Sequence, residues 1–365
     1  MLDIMKRWGK QMKRVGIITL SDNLNYGNRL QNFAVHHILT QRGYCSESIV
    51  CENSRFKHYM HPFTNWIKRY VLKEPFAFRI HSFQRFNYKY IPRRFFFSKY
   101  YELPSGFKNN YDYFVTGSDQ VWNVNFFIPE KFDGQFDYYF LQFANDYQKI
   151  CFSPGIGRFK TEYLKMVANA LKGYRYLSCR EQQGADVLKQ ITGRECYCLI
   201  DPTLFLSKND WKDALSIKTP EGEPYIFVFF IDGMTEELKS FVEKYASSRY
   251  RILDPSDITS PLYSIDPAEF VALLSGAHMV FTDSFHVTAF AINFHVPFYV
   301  FNRKKVKNMT SRIESICEMF SLQSRYIHEQ EPFPVEEECG FELADNQLLI
   351  ERKKLSDYLD QCFEG

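Results

Sequence analysis

RVGIITLSDNLNYGNRLQNFAVHHILTQRG, Arg14 to Gly43, changes its hydrophobic period partway along. Its first seven residues are a short β-rich apolar run, and a polar loop with one glycine follows. Apolar residues then fall at Leu30, Phe33, Ala34, Ile38 and Leu39, the spacing of one helix face, until Gly43 stops the pattern. SESIV resumes as a strand. Strand, loop, helix and strand in that order imply a parallel sheet with crossover helices.

The same grammar recurs downstream. YDYFVTGSDQVWN is a strand that ends in a polar turn; YRYLSCRE ends at Arg180 and opens the helical EQQGADVLKQITG; CYCLIDPT ends in Asp201-Pro202. After the turn-rich SIKTPEGEP, Ser216 to Pro224, a second series begins. YIFVFFID reads as a strand, TEELKSFVEKYAS and DPAEFVALLSG as helices, HMVFTDS as a strand, HVTAFAINF as a helix and PFYVFN as a strand. Two α/β domains are expected, over residues 14–218 and 219–335, with a last helix over 343–363 that can cap either one.

A chain of 365 residues is longer than one core usually spans, which agrees with two domains. Net charge is +2, so no global field favours nucleic acid or acidic partners. No apolar run approaches membrane-spanning length, and MLDIMKRWGKQMKR lacks the apolar core of a signal peptide. The expected location is cytoplasmic, with peripheral attachment at the inner membrane face as the variant; the basic start reads as a frayed terminus or a small membrane-surface helix. Nine scattered cysteines without a C-x-x-C read as reduced thiols, and Cys196 and Cys198 alternate as in a strand. No metal site is expected. P-loop, dinucleotide-fingerprint, H-E-x-x-H and G-x-S-x-G patterns are all missing from the sequence, which weighs against P-loop kinases, ordinary dinucleotide dehydrogenases, zinc proteases and serine hydrolases.

One segment differs in composition. From Arg55 to Tyr101 eleven Lys or Arg stand against a single acid, Glu74, interleaved with aromatics as in RFNYKYIPRRFFFSKYY. Basic residues among aromatics suit a membrane surface, an anionic polymer or a lipid diphosphate. A helical insertion with a solvated charged side is the alternative, since Phe76, Arg79, Phe83 and Phe86 fit an amphipathic helix. Nucleic acid would not explain the polar strand ends.

In open parallel sheets ligands sit beyond the carboxyl ends of the strands. TDSFHVTAF puts Asp283 and Ser284 there as suitable helix caps, with His286 in the first helical turn, where free N–H groups favour an anion. SDNLNYGN offers Asn25, Tyr26, Gly27 and Asn28; TGSDQVW offers Gly117, Ser118, Asp119 and Gln120; FNRKK offers Arg303, Lys304 and Lys305. Arg180 suits a bidentate grip on carboxylate or phosphate, or else a salt bridge to Glu181 or Asp201.

In this order, NYGNRLQNFAV, YDYFVTGSDQVWN, KICFSPGIG, SCREQQGADVLKQITG, LIDPTLFL, TDSFHVTAF and SRIESICEMF resemble the polysaccharide pyruvyl transferase family, from about Arg14 to about Phe320. The resemblance implies a glycosyltransferase B-like α/β fold, two Rossmann-like domains facing a cleft with a C-terminal helix packing back. It implies transfer of pyruvate from phosphoenolpyruvate to a sugar in a surface polysaccharide precursor, typically as a cyclic ketal; if that sugar is carried on a polyprenyl diphosphate, the basic-aromatic segment is expected to meet the carrier. Phosphoenolpyruvate is a substrate, and no cofactor or metal is required. The family's donor-binding residues fall on Arg180, His286 and Arg303 or Lys304; where the family has glycine after the histidine, Val287 stands here. His286 is then the acid that protonates C3, Arg180 the grip on the donor, and Asp119 the group that orients or deprotonates the acceptor hydroxyl. A nucleotide-sugar glycosyltransferase of the same architecture and a non-catalytic binder of anionic glycans are the competing readings.

Overall fold

The computed structural model describes residues 12–364 apart from 23, 53, 125–133, 158–160, 221, 303–309, 329–332 and 334–337. The basic start, and Arg303 and Lys304, lie outside the described residues.

The first half begins with β1 (Arg14–Ile18), α1 (Tyr26–Gln41), β2 (Cys45–Glu52), α2 (Arg55–Tyr70), α3 (Pro75–Tyr90), β3 (Arg93–Phe97) and β4 (Tyr113–Thr116). It continues through α4 (Gln135–Tyr139), β5 (Lys149–Cys151), α5 (Leu164–Ala170), β6 (Leu177–Cys179), α6 (Gln182–Thr192), β7 (Cys196–Cys198), α7 (Pro202–Phe205) and α8 (Lys208–Leu215). The second half holds β8 (Tyr225–Phe229), α9 (Glu236–Ala246), β9 (Arg251–Leu253), α10 (Pro267–Ser275), β10 (Met279–Thr282), α11 (Phe285–Phe294), β11 (Phe298–Phe301), α12 (Thr310–Met319) and β12 (Tyr326–Ile327). The last helix, α13, runs Glu342–Glu364.

Two five-stranded sheets result, ordered β3-β2-β1-β4-β5 and β12-β11-β10-β8-β9. Every pairing in both is parallel. This is the α/β architecture expected from the alternating periods. β6 and β7 stand apart as a two-stranded parallel sheet. In each large sheet the strand order reverses once, between β1 and β4 and between β8 and β10. At such a switch point neighbouring crossovers leave the sheet in opposite directions and open a crevice at the strand ends. The strand ends singled out above at Asn25, Gly117 and Asp283 follow β1, β4 and β10.

Helices α1, α7, α10 and α11 pack between the two sheets. Leu30, Phe33 and Ile38 of α1 share one continuous core with Trp211, Phe270, Phe285 and Phe290. Burying each such side chain is worth about 1.5–3 kcal/mol, so the halves are held by apolar contact as well as by the chain. Two further cores lie on the outer faces of the sheets. Helix α13 touches both halves. Tyr358 donates to the Cys151 carbonyl (2.7 Å), while Arg352 donates to the Leu204 carbonyl (2.9 Å) and to Asn293 (2.9 Å).

The basic-aromatic segment is helical over most of its length, as its alternative reading has it, but not throughout. Its first part is the hairpin α2–α3, but RRFFF forms β3, the edge strand beside β2. Alternating large side chains suit an edge strand that is half-buried throughout.

A buried network lies under α1. His36 is 4% exposed, its Nδ1 2.8 Å from Ser46 Oγ and its Nε2 2.9 Å from Ser48 Oγ. Burial, and secondarily the charge of Arg29, pulls its pKa down to about 3. The unfolded chain binds this proton below pH 6.5 and the folded chain does not, so stability falls as pH drops through that range. At pH 5 the cost is about 2 kcal/mol. Urea unfolding at pH 7.5 and pH 5 should show this difference in the wild type and largely lose it in His36→Gln. An equal pH dependence in both proteins would contradict the assignment.

Candidate active site

The two switch points face each other across a cleft of ≈ 530 Å³, lined by Asn25, Gly27, Asn28, Asp119 and Gln120 from the first half and by Ser284 and His286 from the second. A second cavity of ≈ 380 Å³, lined by Arg180, Glu181, Asp201 and Lys354, adjoins it. Phe285 and Arg312 line both.

Asn25 caps α1 by accepting from the Asn28 N–H (3.1 Å). The Asn28 amide is oriented by its neighbours: Oδ1 accepts from the Asp22 N–H (3.2 Å) and from Arg29 Nε (3.2 Å). Nδ2 is thereby left to donate to Asp119 Oδ2 (3.1 Å). Gly27 is needed for close approach, because a Cβ there would lie 2.1 Å from His286 Nδ1. The N-terminus of α1 therefore rests on the imidazole of α11. Tyr26 lines the cleft wall; its hydroxyl donates to the Ile265 carbonyl (3.0 Å) and its ring stacks on Phe270 at 3.9 Å.

After β4, Gly117 closes over Thr19, and Ser118 is buried, its one hydroxyl proton shared between the Ser153 carbonyl (2.9 Å) and Asp201 Oδ2 (3.0 Å). Asp119 has a left-handed backbone, φ 64°, and its carbonyl accepts from the Gly155 N–H (2.6 Å). That conformation costs an L-residue about 1–2 kcal/mol, less for Asp than for most, and it aims the carboxylate at the cleft. Burial alone would raise the Asp119 pKa; the charges of His286, Arg180 and Arg312 and the bond from Asn28 outweigh it and hold it below the usual range. With its amide oxygen turned to Arg312, Gln120 accepts from that guanidinium at 2.9 and 2.8 Å.

Arg180, just past β6, is 4% exposed. Both salt bridges open to it in the sequence form: Nη1 donates to Asp201 Oδ2 (2.8 Å) and Nε to Glu181 Oε1 (3.1 Å). Asp119 Oδ1 lies 4.0 Å from Nη1, and the Phe285 ring lies 4.6 Å from the guanidinium. Burial works against the charge, yet the three carboxylates prevail and keep Arg180 protonated. Asp201 is likewise buried. The charges of His286 and Arg180 and the bond from the Thr203 N–H overcome the burial and hold its pKa well below the carboxylate range. Its Oδ2 also lies 3.7 Å from His286 Nε2, an ion-pair distance longer than a hydrogen bond. Among the described residues Arg180 Nη2 and His286 Nε2 are buried without a hydrogen-bond partner.

His286 does lie in the first turn of α11, with Ser284 in the capping position. The capping expectation fails in detail, because Ser284 makes no side-chain cap bond. The Asp283 carboxylate reaches across to β8 and accepts from the Ile231 N–H (2.8 Å) and the Asp232 N–H (3.3 Å). It braces the neighbouring loop, since two fixed N–H groups there are closer partners than those of its own helix.

Three residues of the site carry little signal in the sequence. Asp201 reads there only as a salt-bridge partner, whereas it joins Ser118, Arg180 and His286. Arg312 stands in SRIESICEMF, one of the stretches that carry the family resemblance, but nothing there marks its side chain as reaching two cavities. Arg79 fits a plain amphipathic pattern, yet it is buried on the cleft wall and donates to the carbonyls of Leu24 (2.9 Å), Tyr263 (2.9 Å) and Pro255 (3.3 Å).

Two parallel five-stranded sheets whose switch points share one charged cleft define an α/β architecture. The chain belongs to the polysaccharide pyruvyl transferase family, whose model it matches over residues 25–305. That membership carries transferase activity and a sugar or polysaccharide substrate. The span starts at the cap of α1 and includes His286, while Arg312 lies beyond it.

Among solved structures, the chain is similar to a UDP-GlcNAc 2-epimerase from Neisseria meningitidis, bound there to UDP-GlcNAc. Identity is 10%, 94% of this chain and 100% of that one are covered, and the TM-score is 0.40. It is also similar to the glycosyltransferase SnogD from Streptomyces nogalater, at 12% identity over 97% and 98% of the two chains, with a TM-score of 0.38. No curated protein matches the chain.

Proposed function

We propose that the chain transfers a pyruvyl group from phosphoenolpyruvate to two hydroxyls of one sugar in a surface polysaccharide or its lipid-linked precursor, closing a cyclic ketal and releasing phosphate. The observation that carries this reading is the pair of unpartnered nitrogens, Arg180 Nη2 and His286 Nε2, on either side of Asp201. Buried N–H donors without acceptors cost about 1–3 kcal/mol each, and an anionic ligand relieves that cost.

His286 gives a proton to C3 of phosphoenolpyruvate, and C2 gains cationic character. The first hydroxyl oxygen bonds to C2; the C2–O bond to phosphate then breaks, and the second hydroxyl closes the ring. Of the two hydroxyl protons displaced, one restores His286 and one leaves on phosphate, so the reaction balances. Asp201 faces the imidazole with a fixed negative charge. Arg180 holds the donor carboxylate, and Arg312, with Arg303 and Lys304, neutralises the departing phosphate. Asp119, whose pKa is depressed, orients the acceptor hydroxyl by accepting its hydrogen bond.

Incubation with phosphoenolpyruvate and a panel of free and polyprenyl-diphosphate-linked sugars should release phosphate and give an acceptor with the mass of a pyruvate ketal. A hexose-sized gain from a nucleotide sugar, with no phosphate from phosphoenolpyruvate, would assign glycosyl transfer instead. Gly27→Ala should lower turnover about 100-fold by displacing the imidazole and cost about 1–3 kcal/mol of stability through the overpacked contact. Unchanged turnover in that variant would mean the ring position is not needed.

A further inference from the structure

The outer face of the α2–α3 hairpin is apolar and open to water. Phe63, Trp66 and Tyr70 fall at helical spacing along α2 and are 56%, 50% and 58% exposed; Val71 and Leu72 in the turn are 62% and 59% exposed. Trp66 and Tyr70 lie with ring centroids 5.8 Å apart. An exposed stripe of this kind is unfavourable in water and marks a surface that is covered in use. Its cations lie among these rings: Lys68 is half exposed, the Arg69 guanidinium lies 4.4 Å from the Tyr70 ring, and Lys73 is exposed in the turn.

We infer that this hairpin docks on the surface of an anionic phospholipid bilayer, with Trp66, Tyr70 and Leu72 entering the headgroup boundary and Lys68 and Lys73 meeting lipid phosphates. Aromatic residues beside cations on an amphipathic helix suit that boundary, where the ring has an apolar side and a wet side. Charge selects the occupant. Residues 55–101 hold eleven of the chain's 45 basic residues and one of its 43 acids, so a second copy would bring like charge to the same face. An anionic bilayer brings the opposite charge. Among the described residues no helix is long and apolar enough to cross a membrane, so this contact lies along the surface.

The hairpin also reaches the cleft. Helix α3 starts at Pro75, and about 6 Å further along its axis Arg79 forms part of the cleft wall. A docked hairpin would hold the cleft mouth near the membrane, where a sugar on a lipid carrier is presented.

Flotation of the full chain with vesicles tests this directly. Binding is expected to pure phosphatidylglycerol vesicles and not to pure phosphatidylcholine vesicles. Lys68→Glu with Lys73→Glu should weaken it about tenfold or more. Trp66→Ser with Leu72→Ser should do the same. Tryptophan emission should shift to the blue on phosphatidylglycerol vesicles, and Trp66→Phe should lose the shift while still floating. Equal binding to both lipids, or binding untouched by either double substitution, would overturn the inference. So would a dimer by light scattering that Trp66→Ser dissolves. The assay needs no turnover, so it fails or succeeds separately from the pyruvyl-transfer reading.

Discussion

His286→Ala should lower turnover of phosphoenolpyruvate by about 10²–10⁴-fold, the usual contribution of a positioned proton donor, while changing donor affinity only a few-fold. The ring is wedged between Gly27 and Asp201, so its place is set by backbone contact on one side and by charge on the other. Removing it leaves Arg180, Arg312 and Asp119 able to hold the substrates. Steady-state phosphate release together with calorimetric affinity separates the two effects. A loss of affinity as large as the loss of turnover would make His286 a binding group and leave C3 without its acid.

Arg180→Ala should abolish measurable donor binding and cost about 3–5 kcal/mol of stability, because it removes the guanidinium that Asp201 and Glu181 both pair with and leaves Asp201 only the more distant His286. The sign of the pH dependence follows from the depressed pKa of Asp201. In the wild type its contribution is present above the ordinary carboxylate range and is lost as pH falls below about 4. In the variant Asp201 keeps His286 but loses Arg180, so its ionised form is less favoured than in the wild type, and the stability gap between the two proteins should be wide at pH 7 and narrow in acid. Arg180→Lys keeps a charge near Asp201 but cannot serve Asp201, Glu181 and a ligand together. It should fold and still bind the donor poorly. Thermal melts across pH with calorimetry on both variants check this, and a stable Arg180→Ala that binds phosphoenolpyruvate would remove the residue from the site.

The two sheets were readable from the sequence wherever a strand carried four or more apolar residues into a polar turn. β9 and β12, three and two residues long, are too short for any period to register. β3 was hidden because its arginines and phenylalanines blend into a basic-aromatic run that also contains two helices. For the site, the strand-end rule found Asn28, Asp119, Arg180 and His286, since each follows a strand that the period identifies. What it could not find is pairing across the cleft. Gly27 against His286 joins residues from opposite halves, and Asp201 between Arg180 and His286 joins three separate elements. Only the packing of the sheets brings them together. Arg312, in the first turn of α12, escapes the strand-end rule for the related reason that SRIESICEMF gives no sign of which of its side chains points inward.

Calorimetric titration of phosphoenolpyruvate into the wild type, His286→Ala and Arg180→Ala, with a panel of nucleotide sugars alongside, tests the central claim most directly. Pyruvyl transfer predicts binding to the wild type and to His286→Ala, none to Arg180→Ala, and no comparable signal from any nucleotide sugar. A silent titration with phosphoenolpyruvate beside clear binding of a uridine or guanosine diphosphate sugar would contradict it and assign the cleft to glycosyl transfer.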